Sequence, residues 1–421
     1  DAAKAIAERR GSEDPRAVTA LLEAAEGLAA ATSAEGAERF PNERARALYQ
    51  AGQALFDAGR LAEAAELFEQ GRTLAVTEER RRQAAWMRVV TLDRAVESGE
   101  ASLGEERDQA ALLFLAAYPA SDESAQLALR PSTARLLTEG QAVEILLAVP
   151  RSASTYSAAR RRAAALLYRR YRNTGPVDRP LVADQFMTLA EDIITQDVIE
   201  MRSAGSDQAA ELAESVIISA RRLADVALAV NPPQIDRGTF ALETIDRAAD
   251  FAAIDVSELA DELLFRRLQI ASHEGRLDEA TGLADRLAQS GSAFAETAAR
   301  VMYRDSVRAW IDTPSDLEAA RRVVRFGERT RASLRSQPGA LASVLGTIAQ
   351  AADRLAEVGG GQEMRQIALS AREELVALGT ADDTTLRELA RGYGLAFDPE
   401  RASVTCLSVL QRADPASLGW F

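Results

Sequence analysis

Residues Ala45 to Ala75 read ARALYQAGQALFDAGRLAEAAELFEQGRTLA, and this stretch decides the fold. Its apolar residues recur at the 3.6-residue period of a helix rather than alternating as in a strand. Gly52 and Ala64 are small enough for two helix backbones to approach closely, while Leu48, Leu55 and Phe68 fill the space beside them. Working outward, the same period between breakers predicts about twenty helices of roughly 12 to 20 residues, joined by very short connections that make neighbours antiparallel. Asp14 before Pro15 reads as an N-cap followed by proline at the first helical position, and Ser315 after Pro314 as the opening of a helix running to Arg331. Further stops fall at Gly175-Pro176, Asn231-Pro232-Pro233, Pro338-Gly339, Gly359-Gly360-Gly361 and Asp398-Pro399.

Composition agrees with this reading. No Pro/Gly/Ser-rich linker divides the 421 residues, a length beyond what one compact core serves, so an elongated stack is expected. Hydrophobic residues make up 47% of the chain but aromatics only 5%, and most of the apolar content is Ala and Leu, good helix formers. No alternating run bounded by Asn-Gly or Asp-Gly turns offers a hairpin. The fold class is therefore all-α. A net charge of −14 repels nucleic acid and anionic membrane, and the apolar runs Ala110 to Ala117 and Ile145 to Val149 are far short of the ~20 residues of a spanning helix. Nucleic-acid binding and membrane insertion by these residues are not expected. Lys4 is the only lysine, an arginine bias that points to a GC-rich, bacterial genome. The chain opens at Asp1 rather than Met, from which a removed upstream segment is expected; were it an export signal, the compartment would be periplasm or envelope, and otherwise cytoplasm.

The Ala45–Ala75 stretch resembles the tetratricopeptide repeat. Leu48, Ala51, Gly52 and Leu55 stand at that family's first-helix positions, Gly59 at its interhelix turn, and Leu61, Ala64, Phe68 and Gly71 at its second-helix positions, with Val76 replacing the closing proline. A weaker copy runs from Asp261 to Ala288, with Leu264, Ala271, Gly275, Leu277, Ala280, Ala284 and Leu287 on the family's positions; Arg267 and Leu268 depart from its apolar and small residues. Ala142 to Tyr156 and Leu115 to Ala125 resemble shortened second helices of divergent bacterial repeats, and Leu341 to Leu378 keeps the alternation without the signature. The resemblance implies one continuous α-α superhelix over 1–421, a right-handed solenoid with its clearest repeats at 45–78 and 261–290 and capping helices at 382–421. Leu418-Gly419-Trp420-Phe421 is expected to cap the last pair, the alternative being a short docking motif.

Catalytic chemistry is sparsely provided. The single histidine, His273, falls in a turn, and the single cysteine, Cys406, reads as a small buried hydrophobe on a late helix. One His and one Cys supply no His/Cys metal cluster, and no GxSxG elbow surrounds any serine. Glu63, Glu66 and Glu69 follow helical spacing on a solvated face, and Gly359-Gly360-Gly361 lacks the Lys and Ser/Thr of a phosphate loop. No cofactor and no metal are expected. The exception in charge is Ala158 to Arg172, AARRRAAALLYRRYR, where Arg161, Arg162, Arg169 and Arg172 form a basic stripe opposite Ala163, Leu167 and Tyr171. Its plainer reading is a solvated face paired with acids; the sharper one is docking of an acidic segment.

The repeat resemblance further implies that a partner is gripped by first-helix side chains facing a concave groove. Those positions are Arg46, Tyr49, Gln53 and Phe56 in the first copy, and Phe265, Gln269 and Ser272 in the second. The expectation is a non-enzymatic scaffold or adaptor for a protein or peptide partner. Two alternatives stay open: a structural component of an envelope or secretion assembly, and an α/α-toroid hydrolase working with carboxylates alone. Oligomeric state is open.

Overall fold

Helix starts show how directly sequence becomes backbone. In a computed structural model that describes residues 3–5, 14–395 and 398–412, the Asp14 carboxylate accepts the amide of Arg16 at 2.9 Å, with Pro15 in the first turn. Thr138 and Gln141 form a reciprocal capping box. At the helix expected to open on Ser315, Asp316 is the cap instead. Its carboxylate accepts the amides of Glu318 and Ala319 at 2.9 and 3.0 Å, an ionised acceptor at the positive helix end, so the regular turn begins at Leu317.

All regular elements among the described residues are helical, and the all-α class holds. The chain divides into two compact units, Asp1–Ile193 and Ile194–Phe421. The first contains α1 (Pro15–Thr32), α2 (Pro41–Asp57), α3 (Leu61–Leu74), α4 (Glu78–Glu97), α5 (Gly104–Ala117), α6 (Asp122–Leu129), α7 (Pro131–Ala134), α8 (Glu139–Leu147) and α9 (Tyr156–Asn173). Helix α10 (Arg179–Ser203) includes the division. The second unit continues with α11 (Ser206–Ala229), α12 (Ile235–Ala252), α13 (Ala260–His273), α14 (Leu277–Gln289), α15 (Ala295–Asp312) and α16 (Leu317–Arg331), then α17 (Pro338–Leu355), α18 (Gly361–Ala377), α19 (Asp383–Leu395) and α20 (Pro399–Arg412). In the first unit α1 to α5 each pack on the next helix in sequence, and in the second α11 to α20 do the same, a stack of the solenoid type within each unit.

The two sequence copies pack by different solutions to one volume problem. In the first, a Cβ on Gly52 would lie 3.0 Å from the fully buried Phe68 ring, so the missing side chain is what admits the aromatic. In the second, Leu268 occupies the position of Gly52 and Ala284 that of Phe68, and both are buried in one core with Leu287 and Phe326. Large and small have exchanged helices, which is why Leu268 packs without conflict. Arg267 stays at the margin, paired with Asp246 at 2.7 Å. Gly59 and Gly275 turn between their helices at φ +76° and +75°, where a side chain would be strained.

At the C-terminal end, α19 and α20 pack on each other, and Ala402 joins the cluster of Leu369, Leu389 and Tyr393. Cys406 corrects the expectation of burial. It is exposed, as are neighbouring Val404 and Leu407, because α20 meets that core through Ala402 and the described residues place no further apolar layer on this face. Leu418-Gly419-Trp420-Phe421 lies outside the described residues. No helix among the described residues is long and apolar enough to cross a membrane.

Candidate partner-binding cleft

Helix α2 carries Arg46, Tyr49, Gln50 and Gln53 at spacings of three and four, which sets them along one stripe. What turns the stripe into a cleft is the end of α3 and the start of α4. Gly71 is buried where an added Cβ would sit 3.4 Å from the Ala45 carbonyl, so the end of α3 comes down onto the start of α2. The link to α4 is then held by Arg81, which donates to the carbonyls of Ala75 and Val76 at 3.0 Å each. Helix α4 consequently delivers Arg80 and Gln83 opposite the α2 stripe. The result is a cleft of about 250 Å³ lined by Arg46, Tyr49, Gln50, Gln53, Arg80 and Gln83 over a floor of Ala45, Gly71, Ala75 and Ala84.

Among the described residues no carboxylate lines it, in a chain with 64 Asp and Glu. Two guanidiniums, three carboxamides and a phenol face one space. Such a set can donate to peptide carbonyls and carboxylates, and its size suits one or two side chains rather than a drug-sized cofactor. Tyr49 is half-buried, its ring edge-on to Phe68 at 5.4 Å; burial raises its phenol above the ordinary value, partly offset by its hydrogen bond with Gln53.

The acidic positions of α3 divide. Glu63 and Glu66 are exposed as expected, but Glu69 reaches across to α4, pairing with Arg88 at 3.1 Å as well as with Arg72 on its own helix, and Arg88 continues to Glu106 on α5 at 2.8 Å. The Arg72 hydrogen bond foremost holds the Glu69 carboxyl below the usual range, against the effect of burial. A depressed folded-state value stabilises the fold above the unfolded value of 4.5 and loses that contribution as pH falls through the folded one. Glu69→Gln should therefore be less stable than wild type at pH 7, the gap closing below about pH 4; equal gaps in denaturation midpoint at pH 7 and pH 3.5 would rule this out.

Not all expected site residues meet here. Arg46, Tyr49 and Gln53 line the cleft, whereas Phe56, one turn further on, is half-buried in the α1–α3 core with the Arg94 guanidinium 4.9 Å above its ring. In the second copy the groove expectation is corrected for Phe265 and Ser272. Phe265 is buried and stacked on Phe294 at 5.2 Å, and buried Ser272 donates its hydroxyl to Asp305, because α15 covers this face of α13. Gln269 is half-buried and accepts from Arg266 at 3.1 Å. His273 is exposed at the end of α13, and Gly359-Gly360-Gly361 joins α17 to α18. Along α9 the basic stripe is graded: Arg161 is half-buried, Arg169 pairs with Glu139 of α8 at 2.6 Å, and Arg162 and Arg172 are exposed, while Ala163, Leu167 and Tyr171 are buried as the pattern requires. Arg80 and Gln83 were beyond sequence reasoning, since their role depends on where α4 lands.

Comparison with known proteins gives no family: no family model matches the chain, and no curated protein does. Among solved structures, a circular tandem repeat protein with novel repeat topology and enhanced subunit contact surfaces aligns over 97% of this chain and 92% of its own, at 17% identity and a TM-score of 0.19. The structure of Naa15/Naa10 bound to HypK-THB aligns over 99% of this chain and 66% of its own, at 13% identity and a TM-score of 0.22. Scores this low carry nothing about family or partner.

Proposed function

We propose that the chain is a tetratricopeptide-like scaffold that acts by binding rather than by catalysis, holding an extended segment of a protein partner in the α2–α4 cleft. The observation that supports this reading is the lining itself: Arg46, Tyr49 and Gln53, marked by the repeat resemblance, share one space with Arg80 and Gln83 of α4, with no carboxylate from the described residues. Main-chain carbonyls of an extended segment suit the carboxamides, and an acidic side chain or terminal carboxylate suits the two guanidiniums.

The test is capture from lysate by the purified chain beside Arg46→Ala/Arg80→Ala, with circular dichroism to establish that the variant stays folded. Both side chains are exposed, so their truncation leaves the core intact. Phe56 is a poorer probe because it belongs to that core. A partner retained by wild type and reduced about tenfold or more in the variant supports the cleft. Equal retention by both chains rejects it.

A further inference from the structure

The first unit has a second feature, independent of the cleft. From Ser157 to Arg172 the sequence holds six arginines and no acid, in a chain of net charge −14. Helix α9 presents Arg161, Arg162, Arg169 and Arg172 on the side away from Ala163, Leu167 and Tyr171, which are buried, while Arg170 is exposed at the margin of the packed face and Arg160 turns toward α10. The helix is flanked by carboxylates that it already binds: Arg160 donates to Asp192 of α10 at 2.8 Å, and Arg169 pairs with Glu139 of α8 at 2.6 Å. Between and beyond these pairs, Arg162, Arg170 and Arg172 are exposed. Just past the helix end, Val177 is 88% exposed and Leu181 65%, an apolar footing next to the basic turn.

A plainer account covers part of this. Cations in a last turn favour the helix dipole, which suits Arg170 and Arg172. Arg162 stands ten residues before Arg172, outside the range of that effect. We infer that the exposed face of α9 is a docking surface for an acidic polypeptide segment, its carboxylates gripped by Arg162, Arg170 and Arg172 and its apolar side chains resting on Val177 and Leu181. Charge complementarity selects this occupant. Guanidinium forks match carboxylates, and two arginines of the same helix already pair with Asp192 and Glu139. The face spans one 18-residue helix, about 27 Å, which an extended segment of about eight residues covers. A long duplex or a membrane would in addition face the repulsion of the acidic remainder.

The experiment is fluorescence anisotropy with a labelled peptide of about ten glutamates, beside the corresponding glutamine peptide, at low and physiological salt. The wild-type chain should bind the glutamate peptide and not the glutamine one, more weakly as salt rises. Arg162→Glu/Arg170→Glu/Arg172→Glu should weaken binding at least about tenfold, whereas Arg286→Glu/Arg308→Glu/Arg365→Glu, the same charge change at exposed positions elsewhere, should weaken it less than about threefold. The triple Arg→Gln variant repeats the test should the glutamate triple fail to fold. Equal weakening by both triples would mean net charge alone is being read and would overturn the inference. So would no binding by the wild-type chain, or tighter α9-dependent binding of a single-stranded oligonucleotide or of anionic vesicles.

Discussion

Phe68→Ala should destabilise the first unit by about 4 kcal/mol, among the larger costs that a single truncation produces. Phe68 is fully buried in a cluster with Leu21, Ala51, Leu55 and Ala64, and its ring fills the space that Gly52 leaves open. The large neighbours, Leu21, Leu55 and Tyr49, are held by their own packing, so the void closes only in part. The second copy supplies the compensating change, because there a leucine stands in the place of Gly52 and an alanine in the place of Phe68. Gly52→Leu/Phe68→Ala should accordingly recover more than half of the loss, although Gly52→Leu alone is destabilising through its clash with the ring. Urea denaturation followed by circular dichroism measures both. If the double variant is as unstable as the sum of the singles, the volume-exchange account fails.

Asp93→Ala should cost about 3 kcal/mol, for an electrostatic reason. Asp93 on α4 is 8% exposed and Arg107 on α5 is 7% exposed; Arg107 donates to Asp93 at 3.2 Å, and Arg130, at the end of α6, donates to the other carboxylate oxygen. Burial disfavours the Arg107 cation, but Asp93 and Asp108 outweigh it and leave its guanidinium above the ordinary value. One carboxylate thus ties three helices together. Removing it leaves the buried guanidinium with Asp108 as its remaining carboxylate and strips Nη1 of its partner in a low-dielectric setting. Adding Arg107→Met to Asp93→Ala removes the stranded charge and should restore part of the stability. If the double variant in the same denaturation experiment is no more stable than Asp93→Ala, the cost belongs to packing rather than to charge.

The helices were legible in the sequence because their causes are local. Asp14-Pro15 and the paired glycines Gly59 and Gly275 act within a few residues, and the period of small and large apolar residues marks which faces meet. Arg46, Tyr49 and Gln53 were marked in the sequence by the repeat resemblance. Where reading along the chain went astray, the deciding contact came from a distant element. Phe265 and Ser272 occupy positions that the repeat resemblance assigns to the groove, yet α15 covers them, and Cys406 looks buried by periodicity, yet among the described residues α20 meets the core through Ala402.

By itself, then, the sequence determined the all-α class, the helix-pair alternation and the charge of α9, all of which follow from spacing and composition within single helices. Tertiary structure alone decided that Arg80 and Gln83 complete the cleft, that Glu69 reaches across to Arg88, and that Asp93 clamps α5 and α6. The physical reason is reach: a side chain's partner is set by where the next helices land, and their placement depends on packing volumes such as Gly52 against Phe68 that no single helix specifies.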